Sequence, residues 1–179
     1  MKKLKLEELQ RDSLEEFKSK QKIELVVVLD NIRSGMNVGS VFRTIDCIGA
    51  KKIYLTGISP KPPHKEIFKT AIGAQESVEW DYEEDIKDCV AQLKSEGYTI
   101  LGIEQTDQSI ALTSFKLVGK DKIAIVMGNE VDGLSENILP LLDQAIEIKQ
   151  FGTKHSLNVS VCAGIVLWEI SRKMRLGAG

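Results

Sequence analysis

The chain has 179 residues, 42% of them hydrophobic, which is the size of one domain able to bury a core without disulfides or a structural metal. Its 24 basic and 26 acidic residues nearly cancel to a formal charge of −2, so no whole-molecule field draws in nucleic acid and any such contact must use a local patch. Three scattered cysteines, Cys47, Cys89 and Cys162, exclude a full disulfide framework and CxxC zinc spacing, and no stretch has the apolar core of a signal peptide or the length of a membrane span, so a soluble cytoplasmic protein is expected.

Residues 1–22 are dense in charge, with a loose helical stripe over 3–20, and read as a surface arm. The compact domain, 23–179, begins with IELVVVL at 23–29, a β-branched run suited to a strand buried on both faces of a parallel sheet. Val38, Val41, Phe42, Ile45 and Ile48 then recur at helical spacing, with Gly49 at the C-cap position, and a strand follows at 52–55. The breakers Pro60, Pro62 and Pro63 mark 57–73 as a long connection. An amphipathic helix is predicted at 83–96, strands at 98–103 and 122–127, and a short helix capped by Ser135 through about Leu142. A last strand at 145–148 and a long helix at 157–174 complete an alternating α/β chain.

Three motifs sit at junctions of these elements. NVGSVFR, from Asn37 to Arg43, opens the first helix after a parallel strand, where free backbone N–H groups favour an anion. Asn37 also reads as a plain N-cap and Gly39 as a packing contact, but Arg43, set between Phe42 and Ile45, calls for a defined partner. GNEVDG, from Gly128 to Gly133, follows a buried strand at the sheet edge where open α/β folds bind ligands, although Asp132-Gly133 is also an ordinary turn. SLNVS, from Ser156 to Ser160, enters the last helix, with Ser156 as its cap and Asn158 in its first turn. The first βα turn lacks GxGxxG, no GK[ST] phosphate loop occurs, and His64 and His155 stand apart from cysteines and clustered carboxylates, so dinucleotide, ATP and metal sites are disfavoured.

Taken together and in this order, the three motifs resemble those of the SpoU/TrmH family of RNA 2′-O-ribose methyltransferases, within the SPOUT superfamily, over roughly residues 23–175. The resemblance implies an α/β fold with a mostly parallel sheet flanked by helices and a deep C-terminal trefoil knot. It implies S-adenosylmethionine as cofactor, held by Gly128, Asn129, Gly133, Ile148 and Leu157, with Glu104 as an addition at the end of its strand. It further implies a tRNA or rRNA substrate, no metal and no membrane, and a homodimer whose first and last helices pack on a second copy.

By the same resemblance Arg43 is the central catalytic residue, with Asn37 orienting Arg43 or the ribose, Glu130 ordering the cofactor loop, and Ser156 and Asn158 fixing phosphate and Arg43. Arginine keeps its proton at any ordinary pH, so phosphate binding and stabilisation of a developing 2′-oxyanion suit it better than proton abstraction. Lys61, Lys65 and Lys69 on the Pro-rich connection, and Arg172, Lys173 and Arg175 near the end, form basic clusters that read either as solvated surface or as phosphate contacts. A non-catalytic RNA-binding protein on this fold and a small-molecule enzyme using another nucleotide are the competing readings.

Overall fold

The apolar run near the N-terminus forms the central strand β1 (Ile23–Asp30), whose last six residues are all buried. It pairs in parallel with β2 (Ala50–Thr56) on one side and β6 (Lys122–Met127) on the other. β3 (Glu79–Glu83) extends the sheet beyond β2, while β4 (Tyr98–Ile103), β7 (Gln144–Glu147) and β5 (Ile110–Ala111) extend it beyond β6. The order is therefore β3-β2-β1-β6-β4-β7-β5, and every pairing is parallel. The computed structural model describes residues 1–117 and 122–176; residues 118–121 and 177–179, the latter closing the expected domain, lie outside the described residues.

Alternation along β1 divides the core into two layers. Leu25, Val27 and Leu29 face α2 (Gly35–Ile48), α3 (Lys65–Ala71), α4 (Ala74–Ser77) and α6 (Val159–Leu176). Val26 and Val28 face α5 (Ile86–Ser95) and the 3-10 helix at Glu136–Leu141. Helices thus cover both faces of a parallel sheet, as the chain's alternation of elements predicts.

Several boundaries differ from expectation, each for a local reason. The arm is two pieces, a 3-10 turn (Leu6–Leu9) and α1 (Leu14–Ser19), because Ser13 and Glu16 form a capping box that restarts the chain. Asp85 caps α5 and releases EWDYE as an edge strand, with Trp80 and Tyr82 turned to the core and Asp81 paired to Lys52. His64 caps α3 inside the segment read as a connection. Ser135 caps nothing: its hydroxyl and amide both donate to the buried carboxylate of Asp30, at 3.0 and 2.7 Å, and the following turn is 3-10.

α2 and α3 pack at the closest approach that glycine allows. A Cβ on Gly39 would overlap both Thr70 Oγ1 and the backbone carbonyl of Ile67. Rotation of a side chain cannot relieve a clash with backbone, so Gly39→Ala is expected to lower stability by about 1–3 kcal/mol despite alanine's better helix propensity. The urea midpoint measures it, and an unchanged or raised midpoint would show that the two helices part freely.

Candidate active site

The carboxyl ends of β4, β6 and β7 open onto one cavity of about 550 Å³. Open parallel sheets place ligands at this edge, because the loops there leave the sheet with unpaired backbone groups. Its walls come from three segments: Ile103 to Gln105 after β4, Met127 to Gly133 after β6, and the run from Ile148 through Val159 that leads into α6. The β6 loop is pinned upon itself, since Asn129 and Gly133 exchange backbone hydrogen bonds and the Asn129 side chain accepts from the amides of Val131 and Asp132. Gly133 has φ +72°, and a Cβ there would meet the Glu104 carboxylate, which accepts from the Leu134 amide at 3.0 Å. Gly128 likewise leaves no room for a Cβ against the backbone of Gly133 and Leu134.

A chain of hydrogen bonds ties the three sequence motifs together. Asn158 Nδ2 donates to Asn37 Oδ1 at 3.2 Å, and Asn37 Nδ2 donates to Glu130 Oε1 at 2.9 Å. The other acceptor sites of Glu130 take the amides of Arg33 (2.8 Å) and Ser34 (3.1 Å) at the head of α2. Partial burial pushes the Glu130 carboxyl upward, but these donors outweigh it and hold its pKa below the ordinary carboxylate value. The caps also differ from expectation. Ser34, not Asn37, caps α2, and Asn158, not Ser156, caps α6 by accepting from the amides of Ser160 and Val161. Asn37 thus commits both atoms of its amide to the network, and Asn158 its Nδ2.

The structure brings Glu104, Gly128, Asn129, Gly133, Ile148 and Leu157 onto the wall of the cavity, together with Glu130, Ser156 and Asn158. Asn37 meets this group through its hydrogen bonds. Arg43 does not. It is exposed rather than wedged in apolar surroundings, and no hydrogen bond or ion pair holds it among the described residues. It lines a second cavity, with Lys69, Thr70 and Trp168, on the outer face of α2 and α6. The C-terminal cations are already engaged: Arg172 and Lys173 pair with Glu169, and Arg175 donates to the carbonyl of Ile48. Lys61 lies over the Tyr82 ring.

Sequence reasoning missed four residues. Asp30, fully buried at the end of β1, accepts from Ser135 and from Asn31, fixing the β6 loop to the central strand. Gln105 and Gln150 both donate to the carbonyl of His155, at 3.1 and 3.4 Å, across the cavity mouth. Cys162 sits in the cavity wall, where burial first and the charge of Glu104 second push its thiol up to about 11. The polar residue closing an apolar strand was the visible sign of Asp30; nothing local marked the other three. Among the described residues no three His, Cys, Asp or Glu side chains converge as a metal site, and no helix is long and apolar enough to cross a membrane.

Comparison with known proteins places this geometry in a family. The SpoU rRNA Methylase family pattern matches residues 24–168. A tRNA (guanosine(18)-2′-O)-methyltransferase of Aquifex aeolicus is 31% identical over 167 residues, which cover 89% of this chain and 74% of that protein. The mouse tRNA (guanosine(18)-2′-O)-methyltransferase TARBP1 is 30% identical over 158 residues, 86% of this chain but only 10% of the mouse protein. Among solved structures, an AdoMet-bound rRNA methyltransferase from Sinorhizobium meliloti superposes with a TM-score of 0.78 at 26% identity, covering 85% of this chain and 57% of that one.

The Glu130 network carries its own pH signature. A carboxyl whose pKa is lowered on folding contributes stability that is present above its unfolded value, roughly 4.3, and is lost as pH falls through the folded one. Glu130→Gln replaces an acceptor oxygen with a donor facing N–H groups, so a loss of about 1–3 kcal/mol at pH 7 is expected. The deficit relative to the parent chain should shrink as the urea titration moves to acid pH. A deficit independent of pH would show that the carboxylate charge does not matter.

Proposed function

The chain belongs to the SpoU rRNA Methylase family, and we propose that it moves a methyl group from S-adenosylmethionine to a ribose 2′-hydroxyl of a tRNA or an rRNA. It is an S-adenosylmethionine-dependent RNA 2′-O-methyltransferase. The observation that carries the site assignment is the hydrogen-bonded chain Asn158, Asn37 and Glu130, one residue from each motif, beside a glycine-walled cavity at the strand ends.

The residues present fit the cofactor. Gly128 and Gly133 leave backbone exposed where any Cβ would intrude, Ile148 and Leu157 offer apolar contact to a purine, and the carboxylate of Glu104 suits a cationic ligand. S-adenosylmethionine supplies a methyl group made electrophilic by a sulfur that departs neutral. The protein's task is then to place and activate the hydroxyl, whose proton passes to solvent water as the new oxygen–carbon bond replaces the sulfur–carbon bond. Arg43 binds the RNA phosphate and stabilises negative charge on the 2′-oxygen, while Asn37, Glu130, Ser156 and Asn158 hold the loops and the phosphate in register.

Arg43 faces away from the cavity of its own chain, and a homodimer removes that separation. α6 presents Val161, Ile165 and Trp168 to solvent at helical spacing next to Arg43, and this apolar stripe is suited to cover the same stripe of a second copy. Arg43 then completes the cavity of the partner. Within each copy residues 23–179 are the methyltransferase domain and 1–22 an arm, and the C-terminal segment is threaded as a trefoil knot. The three cysteines are unpaired, which suits a cytoplasmic setting.

Arg43→Ala is expected to lower methyl transfer by at least about a hundredfold while S-adenosylmethionine binding, measured by calorimetry, stays near that of the parent. Retained transfer on the true substrate would remove Arg43 from the mechanism. Mixed dimers of Arg43→Ala with Gly133→Val, whose cavity is blocked, should regain part of the activity; dimers that exchange subunits yet stay inactive would place Arg43 in its own chain's site. Comparing 2′-O-methylation maps of total RNA with and without the gene tests the reaction itself. One lost mark is expected, and identical maps would overturn the activity.

A further inference from the structure

With a charge of −2 and its C-terminal cations paired internally, the chain must reach RNA through a local element beyond Arg43. The segment between β7 and α6 has that character. No Asp or Glu occurs between Glu147 and Glu169, in a chain holding 26 acidic residues. Within it Lys149 and Lys154 are exposed and have no ion pair among the described residues. Phe151 stands between them at 88% exposure, with Lys149 Nζ 5.8 Å from its ring centroid. A lone exposed aromatic needs no explanation. Here it stands on a loop whose foot is anchored, through the His155 carbonyl, by Gln105 and Gln150 at the rim of the cofactor cavity.

Resting on the reading of the chain as an RNA methyltransferase, we propose that this loop is an RNA-contacting element, with the Phe151 ring stacking on an unpaired base beside the target ribose while Lys149 and Lys154 contact flanking phosphates. An aromatic face accepts any base, and splayed-out bases of loops are the usual target of such a ring in RNA recognition. The anchored foot holds the ring at a set distance from the cavity, so stacking orders the nucleotide as well as binding it. Phe151 is thus a positioning residue, and the lysines supply affinity without sequence.

The test uses the full-length protein with S-adenosylhomocysteine, total tRNA and total rRNA as probes, and separately measures S-adenosylmethionine affinity and the sedimentation of the free protein. Phe151→Ala is expected to weaken RNA binding about ten- to a hundredfold, with KM for RNA raised more than kcat falls, and Phe151→Trp to restore both. Replacing both lysines by alanine should flatten the salt dependence of RNA binding by about 1.4 in log–log slope. RNA binding by Phe151→Ala equal to that of the parent overturns the proposal. So does a loss confined to S-adenosylmethionine affinity, which would make Phe151 a cover for the cofactor, or a shift to monomer, which would bury it against a second copy. A parent that binds RNA but methylates none counts against the activity alone, and one that binds none overturns both.

Discussion

A carboxylate held at the meeting point of two loops organises this molecule's candidate site. Glu130 leaves the end of β6 and accepts from the amides of Arg33 and Ser34 and from the side chain of Asn37. Those donors belong to the head of α2, where backbone N–H groups lack intrahelical partners and the helix field favours a negative charge. One side chain thereby satisfies a helix terminus and fixes the loop that walls the cavity. Through Asn37 the same hold extends to Asn158 at the head of α6. Asp30 does a parallel job as the last residue of the buried run of β1, taking both donors of Ser135.

These two carboxylates explain why so polar a site is well ordered. Glu130 takes two backbone amides and one side chain, and Asp30 one backbone amide with the side chains of Ser135 and Asn31. Charge-assisted bonds of this kind are stronger than neutral ones and cost little side-chain entropy on the donor side. The cavity beside them can then be lined with glycine backbone and apolar contacts without collapsing. A Cβ on Gly133 would run into the Glu104 carboxylate, so glycine is required there.

The distribution of cations complements this arrangement. Helix α6 ends in Arg172, Lys173 and Arg175, which are consumed in holding Glu169, the carbonyls of Leu112 and Phe115, and the end of α2. Among the described residues Arg43 has no partner on the outer face, beside Lys69, and Lys149 and Lys154 have no ion pair on the loop above the cavity. Cations without an ion pair thus lie both beside Arg43 and on the loop above the cavity. In an RNA enzyme such local placement gives register on the substrate without broad attraction to polyanions.

Much of the fold was legible because its signals are local. The run at 23–29 has the composition only a doubly buried strand requires, and the spacing of Val38, Val41, Phe42, Ile45 and Ile48 allows only one helical face. The edge strand EWDYE carries no assignment from sequence except at Glu83, which falls in the expected helix at 83–96, and the cap at Asp85 decided the boundary. Ser135 looked like a cap because caps are common; the buried carboxylate 105 residues away that claims it has no trace in the neighbouring sequence. The order of the three motifs by itself determined the family and the residues to watch. Only the tertiary structure decided that Asn37, Glu130 and Asn158 are hydrogen-bonded to one another while Arg43 points elsewhere. Periodicity says which face of a helix is apolar, but which residue a polar side chain meets depends on how distant segments cross, and that is set by packing of the whole sheet.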